Sequence, residues 1–77
     1  MKTLDDLVLD EKGYISNINC EETVKRRLMD LGLVKGTCIV PRLENPTKEP
    51  RAFEFRRTLI VIRQEDARLI EVEKWTF

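Results

Sequence analysis

Residues 26 to 37, "RRLMDLGLVKGT", place two glycines four positions apart behind an arginine pair, and no other stretch limits the fold as tightly. A residue just past a helix end commonly takes the left-handed conformation, which costs glycine almost nothing, so Gly32 reads as a helix stop. Lys35-Gly36 reads as a tight turn with glycine in the positive-φ place, and the Thr-Cys-Ile-Val that follows is strand-like. The order helix, stop, turn, strand is therefore expected, with Gly32 and Gly36 as its structural turn residues.

The chain has 77 residues, which predicts a single domain over residues 1–77, near the size at which one hydrophobic core is only just sufficient. With 42% hydrophobic and 36% charged residues it has neither a disordered nor a membrane-spanning composition. The longest apolar run, "LIVI" at 59 to 62, is far too short to cross a bilayer. The opening "MKTLDDLVLD" has no apolar segment of signal-peptide length, so a cytoplasmic location is the default expectation. Cys20 and Cys38 have no CxxC spacing and read as free thiols. Cys20 stands near an expected helix start, where the dipole favours a thiolate, but the chain has no histidine to activate it.

Lysine and arginine balance aspartate and glutamate at 14 each, yet residues 25 to 63 hold ten basic against four acidic side chains. Such asymmetry is met either by pairing of middle and flanks inside the fold or by an anionic partner for the middle. The first of these is the simpler reading.

Along the chain, Thr3-Leu-Asp-Asp6 fits a capping box ahead of a helical turn near 3–7. Residues 13 to 18 read as a first strand in which Ile15 and Ile18, of opposite parity, ask for a bulge or an early end. Asn19 followed by Glu22 repeats the capping logic, and Val24, Leu28 and Leu31 recur at helical spacing, giving an amphipathic helix at about 21–31 with Lys25, Arg26 and Asp30 on its polar face. Residues 37 to 43 read as a second strand, with Pro41 demanding an edge or a bulge, and 44 to 51 as a loop. Phe53 and Phe55 share a strand face, Arg56-Arg57-Thr58 holds a hairpin turn, and the strand through 59 to 62 is apolar on both faces, as in a strand covered on two sides. A short helical turn near 64–68 and a closing strand at 70 to 74 complete the chain. The fold class expected is mainly β: a small, five-stranded, partly open barrel of SH3-like or OB-like kind with one main helix.

The whole order resembles the FeoA family, small cytosolic accessory proteins of bacterial ferrous iron uptake with an SH3-like barrel. The resemblance rests on "LDDL" followed by "EKGYISNI", on "RRLMDLGLVKGT" and on the ending "IRQEDARLIEVE". This chain departs from the pattern at Arg57, where the family often has glycine, and in the connection "ENPTKEPR". The resemblance implies a non-enzymatic binding module whose partner is the cytosolic, GTPase-containing region of the membrane permease FeoB. It also carries the family's label of transition metal ion binding. The related domain ends some metal-dependent repressors, so a metal-responsive sensor is an alternative, although no DNA-reading domain stands ahead of it here.

The residues themselves argue against catalysis, since there is no histidine, no nucleophile elbow and no phosphate-binding glycine loop. Without imidazole, an Fe(II) or other transition-metal site would rest on cysteines or carboxylates that lack ligand spacing, so no cofactor and no metal ligand is expected. Single-stranded nucleic acid is the other alternative, favoured by the basic middle and opposed by a pI near 6.3 and by phenylalanines on the core parity. Candidate partner-binding residues are Lys25, Arg26, Arg56, Arg57 and the C-terminal aromatics Trp75 and Phe77, which are costly to leave exposed. The sequence leaves homo-oligomerisation open and gives no reason for membrane insertion.

Overall fold

The computed structural model describes residues 2–43 and 49–74. At its start the Asp6 carboxylate accepts from the Thr3 N–H at 2.9 Å and from the Thr3 hydroxyl at 3.2 Å, which closes a capping box over a single 3₁₀ turn, Leu4–Asp6. Ahead of it a two-residue strand, β1 (Lys2–Thr3), pairs with the closing strand β6 (Ile70–Glu73). The five expected strands are present, and β1 is a sixth that is too short to show any alternation. The others are β2 (Gly13–Ile18), β3 (Cys38–Leu43), β4 (Arg51–Phe55) and β5 (Thr58–Ile62). They form one antiparallel sheet in the order β1-β6-β2-β3-β4-β5.

Two bulges resolve parity conflicts visible in the sequence. The register of β2 against β6 shifts between Ile15 and Asn17, so Ile15 and Ile18 both reach the core. In β3 the register against β4 shifts between Pro41 and Leu43, which accommodates a proline in a strand that is flanked on both sides.

The main helix, α1 (Glu22–Asp30), starts differently from the expected capping box. Glu21 is the N-cap, while the Asn19 side chain donates instead to Glu71 on β6 at 2.7 Å. At the other end the Leu33 N–H reaches the Leu28 carbonyl at 3.0 Å and the Gly32 N–H reaches Met29 at 2.9 Å, a Schellman stop with Gly32 at φ 101°. The motif carries its usual apolar contact, because Leu28 and Leu33 both lie in the core. Leu31, expected on the packed face with Val24 and Leu28, is instead 49% exposed. The helix has already ended there, and the Schellman turn hands its core position to Leu33.

Phe53 and Phe55 are buried at the centre with Ile39, Ile62 and Val72, and burial of each phenylalanine contributes about 1.5–3 kcal/mol. A four-residue helix, α2 (Gln64–Ala67), places Ala67 against the same core. The outer face of β5 is not covered as expected: Leu59 and Val61 are 52% and 63% exposed, and only the Ile60 and Ile62 side packs inward. Arg51, expected in a loop, opens β4 and is buried, with its guanidinium 5.2 Å above the Phe53 ring.

Candidate docking groove

A shallow concavity opens where β2 parts from β3. Strand β2 pairs with β3 only through Gly13 and Tyr14, after which the chain at Gly36 and Thr37 takes over. There the Ile15 N–H donates to the Thr37 carbonyl at 3.0 Å and the Gly36 N–H to the Ile15 carbonyl at 2.7 Å, with Gly36 at φ 90°. Beyond that point the β3 side of β2 faces α1, while its other side stays paired with β6. The space between β2 and α1 is a shallow groove of about 200 Å³. Residues 15 to 18 of β2 line one wall, Lys25 and Met29 the helical wall, and Val34 and Lys35 the end. Met29 is 47% exposed, so the groove offers a flexible thioether beside two ammonium groups.

The expected site residues separate accordingly. Lys25 lines the groove; Arg26, the next residue of α1, is exposed and lies outside it. Arg56 and Arg57 form the exposed β4–β5 turn, both at positive φ (49° and 63°). Arg56 folds back on the helix end: a Cβ placed on Gly32 would lie 3.2 Å from its guanidinium nitrogen. Trp75 and Phe77 lie outside the described residues. Met29, Lys35 and Val34 were not foreseen. Met29 follows Lys25 by one helical turn, a spacing that marks a shared shoulder of the helix once both are read together.

Charge is distributed in keeping with this geometry. Arg42 of the basic middle is neutralised by Asp10 at 3.0 Å and Glu54 at 2.7 Å. Among the described residues Lys25, Arg26, Lys35, Arg56 and Arg57 make no ion pair, so the cations of the groove rim and hairpin tip stay available to an anionic partner.

Cys20 is a free thiol. It is buried and its thiol donates to the Asp66 carbonyl at 3.6 Å, and burial, aided by the nearby Asp66 charge, pushes its pKa up. Among the described residues no three histidine, cysteine, aspartate or glutamate side chains gather where they could hold a metal. Phe53 and Phe55 are buried in the core and offer no face for stacking bases.

The FeoA domain family matches residues 2–74. The chain belongs to the FeoA family. The fold is correspondingly close to solved FeoA structures, which fixes its SH3-like class. The FeoA protein of Chlorobium tepidum superposes with a TM-score of 0.88 at 30% identity, over 92% of this chain and 68% of that one. Iron(II) transport protein A of Clostridium thermocellum gives 0.86 at 26% identity, over 94% of this chain and 44% of its own. Stenotrophomonas maltophilia FeoA, an SH3 domain protein solved with zinc and suggested to act as a bacterial ferrous iron transport activating factor, gives 0.83 at 25%, over 95% and 91%. No curated protein sequence matches the chain.

Proposed function

We infer that the protein is a non-enzymatic accessory of ferrous iron transport that docks on the cytosolic, GTPase-containing region of a FeoB-type permease through the groove between β2 and α1. Family membership supplies the transport context. The observation that carries the docking surface is the groove itself, in which exposed Met29 sits between Lys25 and Lys35. An apolar centre with a cationic rim suits an acidic surface that inserts one apolar side chain. Arg26, on the adjoining exposed face of the helix, extends the cationic rim, and the C-terminal Trp75 and Phe77 are further anchors in this reading.

Binding kinetics on the immobilised permease region test it. Lys25→Glu and Arg26→Glu should slow association and flatten its salt dependence, because rim charges act mainly on encounter. Met29→Ala should speed dissociation and leave the association rate nearly unchanged. Equal kinetics for wild type and all three variants would overturn the groove as the docking site. A random single-stranded oligonucleotide serves as control. Tight oligonucleotide binding with a steep salt slope, and none to the permease region, would replace this reading by the nucleic-acid one.

A further inference from the structure

Among the described residues, strand β5 ends the sheet and no strand pairs with its outer edge. Arg56 and Arg57 form a two-residue turn, since Phe55 pairs directly with Thr58. In such a hairpin the pair flanking the turn is hydrogen-bonded, and bonded and non-bonded pairs then alternate. Thr58, Ile60 and Ile62 therefore spend their backbone groups on β4. Leu59 and Val61, opposite Glu54 and Ala52, turn their N–H and C=O groups outward. The same two residues carry the exposed side chains of the strand, and Val61 continues through Ala52 to exposed Leu43 as an apolar row across three strands.

Natural edges are commonly blunted by proline, by a lysine within the strand or by a bulge. The edge from Thr58 to Ile62 has none of these. Its charges stand at the ends instead, with Arg56 and Arg57 before it and Arg63 after it, the last loosely held by Glu65 at 3.7 Å. Arg56 and Arg57 keep positive φ angles, which non-glycine residues adopt at a cost. A basic tip is thus maintained where glycine would be easier.

These end charges favour an acidic occupant over a second copy. A second copy adding its own β5 in the antiparallel register that pairs Leu59 with Val61 would set Arg57 opposite Arg63 at both ends, and like charges facing each other across strands are destabilising. We propose that the β5 edge binds an extended peptide segment of a partner protein, with alternating apolar residues at its centre and acidic residues at its ends, as an added antiparallel strand. Main-chain bonds to Leu59 and Val61 supply the register, the exposed side chains of those two residues meet the apolar side chains of the added strand, and the arginines meet the acids.

The test uses the full chain and a synthetic peptide with an alternating valine and threonine core capped by aspartates, beside the same core capped by lysines. The aspartate-capped peptide should bind about tenfold or more tighter than the lysine-capped one, through the exchange of favourable for unfavourable cross-strand charge pairs. It should slow amide hydrogen exchange at Leu59 and Val61 and leave Ile60, already bonded to β4, unchanged. Val61→Pro, which removes an outward donor that β4 does not use, should abolish binding, and Arg57→Glu should weaken it with the backbone edge intact. Unchanged exchange at Leu59 and Val61 in the wild-type protein would overturn the proposal, whatever the fate of the proline variant. So would equal affinity for the two peptides, or a concentration-dependent dimer that Val61→Pro dissolves, which would give the edge to a second copy. The groove variants Lys25→Glu and Met29→Ala should leave peptide binding unaffected, so the two surfaces stand or fall separately.

Discussion

Arg51 is 2% exposed in a domain with little core to spare, so its guanidinium has to find partners in the interior. It donates to the Leu7 carbonyl at 2.6 Å and the Asp5 carbonyl at 3.3 Å, tying the start of β4 to the N-terminal turn. Arg51→Met keeps much of the volume and strands those carbonyls, and is expected to cost about 2–4 kcal/mol, equivalent to a fall in Tm of about 10 °C or more. A thermal melt within a few degrees of wild type would contradict that role. Glu11 makes a pH-dependent contribution. Its carboxylate accepts from Lys2 at 2.6 Å, Lys74 at 2.8 Å and the Val8 N–H at 2.9 Å, and these partners, Lys2 foremost, lower its pKa from 4.5 to about 2. The folded pKa is the lower one, so the stabilisation is complete above about pH 4.5 and is lost as the pH falls through about 2. Glu11→Gln should therefore be less stable than wild type near neutrality and converge on it in acid denaturation series; a constant gap down to pH 2 would contradict the pairing.

Among the elements, the β4–β5 hairpin makes the clearest prediction. Both turn residues have positive φ, as a type I′ turn requires, and both are arginine. Arg57→Gly relieves a left-handed side chain at the cost of a freer unfolded chain, and should raise stability by about 0.5–1 kcal/mol. A lower Tm would mean that Arg57 makes a stabilising contact that outweighs its backbone cost. The same element scale shows what could be read in advance. Gly32 and Gly36 announced a helix stop and a turn because only backbone conformation was at issue, and the bulge in β2 was legible from the clash of parity between Ile15 and Ile18. The Thr3 and Asp6 box was local too, and formed. Asn19 misled because its side chain had a better partner in Glu71, 52 positions away, which no local pattern contains. Leu31 and the outer face of β5 misled for a related reason: periodicity shows which residues share a face, and only the tertiary arrangement shows whether anything covers it. The groove depends on where β2 leaves β3, and so was legible only in part, through Lys25.

At the scale of the whole molecule the basic middle of the chain divides into two populations. Arg42 and Arg51 are used inside the fold, while Lys25, Arg26, Lys35, Arg56 and Arg57 face outward. Outward cations suit an anionic partner and repel a metal cation. Excess Fe(II) should therefore leave an anaerobic thermal melt unmoved, since a ligand of the native state must raise stability by mass action, and an upward shift of several degrees would contradict this. The most direct test of the docking account is chemical-shift mapping of the isotopically labelled protein with the unlabelled cytosolic region of the permease. The largest perturbations are expected at the amides of residues 15 to 18, Lys25, Met29, Val34 and Lys35. Saturating permease region that perturbs none of these, or perturbs only residues remote from the groove such as the β5 edge and hairpin tip, would contradict it.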